Sequence, residues 1–360
     1  MPLMSWHAVD AVDDAVEATR RFLFPFSLVR WAKLSLLVLL MGGGVSTYVS
    51  IPPVPEGDIS VPGATDPGVV GGIGGIGGIG GIVDIGAVDG PLLVAIVAGI
   101  LVTVVALSVA SLSLRLVFYD ALRTNDVRLW HPFIARLRQA TGLFVVSVAL
   151  SLGFAIPVAI SVIVSVFTVS PTGRERLDSA VVTITSLPTE AVVALGVLAA
   201  VFGLAALLAL RLTLEFVVPT MIVEDVGVVA GWRRLWRSLR GHSADIIVYL
   251  LVHFVIGIGI SVAEGLAVVL VGSVVAVVAG LVLLIASALL GGIGAILGTV
   301  AGVVVLGVVL LAATATLLIV LLPVRVLTRS YLITYEVSTL AGIDRSLTLL
   351  HPDLDPASTG

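Results

Sequence analysis

Long apolar runs alternate with short polar clusters along this chain. The runs cover residues 34–49, 91–118, 143–166, 191–218 and 244–322. Inside them the only formal charges are Arg115, Arg211, Glu215, Asp245 and Glu264. A bilayer core takes about 20 residues of helix, so the first four runs predict one span each. The first of them borrows flanking residues to reach that length. The fifth run is 79 residues long, and two crossings leave an apolar excess near 266–292. The pattern predicts an all-α, polytopic transmembrane helical bundle of six spans. Eight spans, or a re-entrant segment over 266–292, are the alternatives.

Between the runs the period changes to an amphipathic one. Over residues 5–22, Trp6, Val9, Val12 and Val16 recur at helical spacing, and Asp10, Asp13, Asp14, Glu17 and Arg21 take the other face. Residues 127–139 put Trp130, Phe133, Ile134 and Leu137 on one face and Arg128, Arg136, Arg138 and Gln139 away from it. Residues 228–240 set Val228, Val229, Trp232, Leu235, Trp236 and Leu239 against Arg233, Arg234, Arg237 and Arg240. These three segments are predicted to be elbow helices lying in the membrane interface. Phe22, Phe24, Phe26, Trp31 and Lys33 supply the aromatic and basic anchors expected at headgroup depth.

Composition narrows the class. Charged residues make up 12% and hydrophobic ones 59%, with a mean hydropathy of +1.20. A soluble domain carries roughly 25% charged residues, so a soluble enzyme, a disordered chain and a disulfide scaffold are excluded. With no Cys, thiolate chemistry is excluded too. A net charge of -4 gives no sign of a nucleic-acid partner. The acidic residues near the start, and the want of an apolar core there, predict no cleavable signal peptide.

Two central segments resemble each other. Each has an arginine near a span end (Arg115, Arg211), then a turn, then W-x6-L-R, in WHPFIARLR from Trp130 and WRRLWRSLR from Trp232. With the N-terminal helix as a degenerate third copy, this predicts three elbow-plus-hairpin repeats over 5–118, 127–219 and 228–327. A cytoplasmic tail over 328–360 follows. In that arrangement 17 of the 19 basic residues fall on one side, and only Arg174 and Arg176 on the other. The positive-inside rule then places both termini and all three elbows in the cytoplasm.

Candidate chemistry is sparse. His253 and Glu264 lie eleven residues apart, which brings them to one face of a continuous helix, about 16 Å apart. Asp245 lies about 80° off that face. One reading is a polar path for a proton, ion or solute through Asp245, His253 and Glu264. The other is that Asp245 caps the helix, His253 bonds inside the bundle and Glu264 reaches the outer interface. Arg211 and Glu215, one turn apart, are expected to pair. Arg128, Arg136, Arg138, Arg233, Arg234, Arg237 and Arg240 are candidate contacts for anionic lipid headgroups. Residues 71–81 read GGIGGIGGIGG, too rich in glycine for a helix and expected as an outer linker. There is no metal motif, no nucleophile elbow and no cofactor fingerprint.

The stretches FLFPFSLVRWAKLSLLVLL (22–40), LRLVFYDALRTNDVRLWHPF (114–133), VPTMIVEDVGVVAGWRRLW (218–236) and VLTRSYLITYEV (326–337) resemble an uncharacterised multi-pass membrane family of halophilic archaea. More distantly, the chain is similar to membrane domains associated with glycerophosphodiester phosphodiesterases. The catalytic barrel of those enzymes and its acidic metal ligands have no counterpart in this sequence. The resemblance therefore implies no phosphodiesterase activity and no cofactor. The expected role is structural or lipid-interacting, with membrane lipids as partners and a homo-oligomer or a membrane complex as the assembly. A transporter or channel for a small solute or ion, or an accessory subunit, is the alternative. An enzyme fits least.

Overall fold

The computed structural model describes residues 7–24, 26–41, 90–169, 189–240 and 243–356. The segments 42–89 and 170–188, which hold the far end of the first expected span, the glycine-rich stretch 71–81 and most of the polar segment between the third and fourth expected spans, lie outside them. Among the described residues the regular structure is all helical, with no strand. The elements are α1 (His7–Leu23), α2 (Leu28–Met41), α3 (Gly90–Thr124), α4 (Trp130–Val169), α5 (Thr189–Leu212), a π-helical turn (Thr213–Val217), α6 (Val218–Glu224), α7 (Val228–Leu239), α8 (Ser243–Leu290), α9 (Ile293–Gly298) and α10 (Val300–Ile343).

Five helices among the described residues are long and apolar enough to cross a membrane: Pro91–Thr124, Trp130–Pro157, Gly196–Glu224, Ala244–Leu290 and Val300–Ile343. The chain is thus a polytopic helical membrane protein. Of the first expected span only its first part, within α2, is described. At 14 residues it covers about 21 Å.

Helix boundaries follow local chemistry. Pro91 stands at the start of α3, where its missing N–H costs nothing. Asn125 (φ 52°) and Asp225 (φ 53°) end α3 and α6 in the left-handed region, a conformation these side chains tolerate. Gly291 and Gly292 (φ 96° and 123°) turn the chain out of α8. The Thr299 hydroxyl accepts from Gly302 N–H at 3.0 Å to cap α10.

Several expectations change. Residues 127–139 and 143–166 do not form two helices. α4 runs unbroken through Thr141 and Gly142, because that stretch has no proline to interrupt it, and Thr141 bonds back to Leu137 O. Residues 266–292 are neither re-entrant nor a pair of short spans. α8 is one helix of 48 residues and α10 one of 44, so 244–322 runs out and back once. Residues 328–343 are not a tail. They are the end of α10, and Ser330, Tyr335, Val337 and Leu340 are fully or almost fully buried there.

The apolar face of α1 is also different from the one expected. Val9 and Val16 are 50% and 53% exposed, whereas Ala8, Ala11, Ala15, Ala18 and Phe22 are buried. The small alanine stripe lets α1 lie close on α10 and α8, and Tyr335 Oη donates to Ala8 O at 3.1 Å.

The buried core is lopsided. It gathers where the ends of α3 and α10 meet α1, α6, α7 and the π turn, around Phe118, Tyr119, Leu122, Phe216, Met221, Leu235 and Tyr335. Away from that end the helices expose apolar side chains along their length, as lipid-facing helices do.

Candidate functional site

Inside the packed end, four helical stretches deliver polar side chains to one layer. The π turn places Glu215 inward, 8% exposed. Isolated π turns of this kind recur at functional sites. Tyr249 Oη donates to Glu215 Oε2 at 2.8 Å and lies 3.0 Å from His253 Nδ1, one turn along α8. Arg211 Nε donates to Glu215 Oε1 at 2.8 Å, which is the pairing expected from their spacing. His253 Nε2 stands 3.7 Å from that same oxygen.

A second group joins from α3 and α10. Tyr119 Oη donates to Glu336 Oε2 at 2.9 Å. Arg115 Nη2 donates to Leu214 O at 3.0 Å and comes within 3.8 Å of Glu336 Oε2. Tyr335 stacks on Tyr249 with ring centroids 5.6 Å apart and tilts against His253 at 6.1 Å. With His253 neutral, the two guanidiniums and two carboxylates cancel in formal charge. Buried charges persist in such company because each is paired and hydrogen-bonded.

Glu215, His253 and Glu336 bring one ligand atom each to within 4.8 Å of one another, a nitrogen-and-oxygen set that suits a transition metal. Charge weighs against that use. Both carboxylates already face arginines and accept phenol hydroxyls, so a divalent cation would add two uncompensated charges to a buried layer. As built, the arrangement is a self-neutralised network that ties α3, α5, α8 and α10 together.

A second polar centre lies at the protein's end. Arg136 bonds both Asp120 oxygens at 2.9 and 3.0 Å and Asp225 at 2.7 Å. Arg234 bonds Glu224 at 2.7 Å, Asp344 at 3.0 Å and Ser346 at 2.6 Å. The second and third elbow segments thereby each return one arginine to a carboxylate on the helix just before it. Asp344 also accepts from Ser238 at 2.7 Å and Ser346 at 2.6 Å. Those hydrogen bonds and the Arg234 charge hold its carboxyl well below the usual range, against the opposing effect of burial.

The residues anticipated from sequence fall in different places. His253 belongs to the buried network. Glu264 accepts from Thr328 Oγ1 at 2.6 Å, two thirds of the way along α10. Asp245 is half-buried in the first turn of α8. The structure does not bring these three together. Among the arginines, Arg136 and Arg234 are the internal hubs just described. Arg128 is exposed and pairs with Asp126 at 2.8 Å. Arg138, Arg233, Arg237 and Arg240 are exposed.

Tyr119, Tyr249 and Glu336 were missed. One signal could have found the first two: Arg115–Tyr119, Arg211–Glu215 and Tyr249–His253 are all polar pairs four residues apart in or at the edge of apolar runs, and such pairs share a helix face. Glu336 carried no such mark.

On α7 the exposed face is basic and aromatic together. Val229, Arg233, Trp236, Arg237 and Arg240 are exposed, and at 100° per residue they span about 100° of arc. Trp236 is 56% exposed, while Trp232 turns inward and donates to Thr213 Oγ1 at 3.0 Å. The start of α4 shows the same offsets, with Trp130, Ile134, Leu137 and Arg138 exposed.

The chain belongs to a family of unknown function, DUF7544, whose model matches residues 6–350. No curated protein and no solved structure matches it.

Proposed function

We propose that this multi-pass membrane protein works as a lipid-interacting scaffold, with its elbow helices gripping the anionic headgroups of the cytoplasmic leaflet. The observation that carries this reading is the outward face of α7. Arg233, Arg237 and Arg240 stand beside Trp236 on a helix whose other face is packed on the core. An amphipathic helix with exposed arginine and tryptophan on one stripe matches the chemistry of a headgroup layer. Trp130 and Arg138, both exposed near the start of α4, add a tryptophan and an arginine on a second elbow segment. In this reading both termini face the cytoplasm, because the arginine-rich elbows set the orientation.

The test is lipid selection. The protein is extracted from a defined mixture of anionic and zwitterionic phospholipid, and the lipid that copurifies is quantified. Enrichment of the anionic lipid is expected. Each basic residue near such a surface contributes about 1 kcal/mol, so R233Q/R237Q/R240Q should lower the enrichment at least about fivefold. Equal enrichment in the triple variant would overturn the reading.

A further inference from the structure

On the hairpin of α8 and α10, two opposite charges stand in an apolar surface without meeting. Glu264, half-buried on α8, accepts the Thr328 hydroxyl of α10 on Oε1 at 2.6 Å. Among the described residues no cation comes within ion-pair range of its carboxylate. Arg325 is exposed on α10, three residues to the tip side of Thr328. Its backbone carbonyl accepts from Thr328 at 3.2 Å, but its guanidinium has no hydrogen-bond or ion-pair partner among the described residues. Three residues are about 4.5 Å along a helix axis. The acid and the base therefore lie at nearly one depth.

That depth is hydrocarbon. Toward the packed end α8 exposes Ile247, Leu251, Phe254 and Val262, and toward the tip Leu266, Val269 and Leu270. A headgroup layer at the level of Arg325 would leave the first of these stretches, about 25 Å long, in water. Charges inside a bilayer are costly unless they pair with one another. Copies of one membrane protein share one orientation, so a residue meets only what lies at its own depth in the neighbour. Arg325 and Glu264 meet that condition with opposite signs, and one chain supplies both.

We infer that two copies of this chain associate through α8 and α10, with Arg325 of each copy paired to Glu264 of the partner subunit. A twofold axis along the membrane normal makes the contact reciprocal and gives two ion pairs per dimer. The surface of α8 permits the close approach this needs. Ser261, Gly265 and Gly272 fall with Glu264 within about 100° of arc, and a Cβ on either glycine would meet nothing within 4 Å. Small residues on one helix face let neighbouring spans come close. The contact uses none of the arginines on the outward face of α7, so it stands apart from the lipid reading.

The experiment places the full chain in zwitterionic vesicles at high lipid dilution. The chain has no Cys, so D353C, at an exposed position, carries a donor or an acceptor dye, and energy transfer between copies reads association. The otherwise unaltered protein should transfer well above the level of randomly placed monomers. R325Q buries no new charge and should weaken association at least about tenfold, the worth of one charge-assisted hydrogen bond, while helix content stays unchanged. R325E alone and E264K alone bring like charges together and should be monomeric. Their equimolar mixture should dimerise, because both contacts in the mixed pair then join opposite charges. A monomeric unaltered protein, as a lipid headgroup answering Arg325 would give, overturns the inference. So does undiminished association of a folded R325Q protein, or a mixture of folded R325E and E264K proteins that associates no better than either alone.

Discussion

Asp344 concentrates more hydrogen bonds than any other carboxylate at the polar end. Arg234, Ser238 and Ser346 all reach it, so one side chain joins the end of α10 to α7. Its folded-state pKa is depressed. A depressed carboxylate stabilises the fold fully above its unfolded pKa, about 3.9, and that stability drains away as pH falls further. D344N should therefore cost about 1.5–3 kcal/mol at neutral pH, the range for hydrogen bonds to charged groups. The gap to the unaltered protein should close progressively below about pH 4. Thermal unfolding in detergent across that pH range checks both halves. A gap that stays constant down to pH 2 would assign the loss to something other than the ionised carboxylate.

The same residue scale shows what could be read beforehand. Arg211 and Glu215 pair as their spacing demands, because an i, i+4 relation is local and survives any tertiary arrangement. Arg136 with Asp225 and Arg234 with Asp344 span 89 and 110 residues. No local rule joins such residues, so these arginines read as lipid contacts until the fold shows them turned inward.

Elements were legible in existence and less so in facing. The amphipathic period of residues 228–240 locates α7 to within a residue. Its sense was harder, because hydropathy reports that a face is apolar and not whether protein or lipid covers it. Trp232 and Trp236 looked equivalent, yet one meets Thr213 and the other is exposed. What decides is a glycine. A Cβ on Gly231 would stand 3.0 Å from both Met221 Cγ and Val217 Cγ1, so this face of α7 can press against the π turn and α6. Val217 is β-branched and stiff, and cannot yield easily. G231L should lower stability by about 1–3 kcal/mol through overpacking. G257A, where nothing lies within 4 Å of the added carbon, should leave the melting temperature unchanged or higher. Equal melting temperatures for the two variants would show that α7 does not depend on this close approach.

At the scale of the whole molecule, composition alone identified the solvent and the apolar runs identified the helices. The runs did not reveal how far helices continue past their apolar stretch. Residues 328–343 are polar enough to resemble a tail, yet Ser330, Thr334 and Thr339 are buried. Thr334 and Thr339 satisfy their hydroxyls on carbonyls one turn back. Such back-bonding lets a helix bury hydroxyls without an outside partner, and a hydropathy profile cannot register it.

The hairpin of α8 and α10 has a consequence for the bilayer itself. At 1.5 Å per residue, 48 and 44 residues make rods of about 72 and 66 Å, against a hydrocarbon slab of about 30 Å. Lying wholly within that slab would demand a tilt of about 65°, far beyond the range that spanning helices adopt. Leu289 and Val300, at the tip, are 83% and 84% exposed, so this surplus length is apolar and solvates poorly in water. The surplus length at the tip should make the protein's stability depend on membrane thickness. Reconstituted into vesicles of increasing acyl length, it should melt at progressively higher temperature, as thicker bilayers cover more of the tip. A melting temperature independent of chain length would show that the tip finds its cover elsewhere than in lipid.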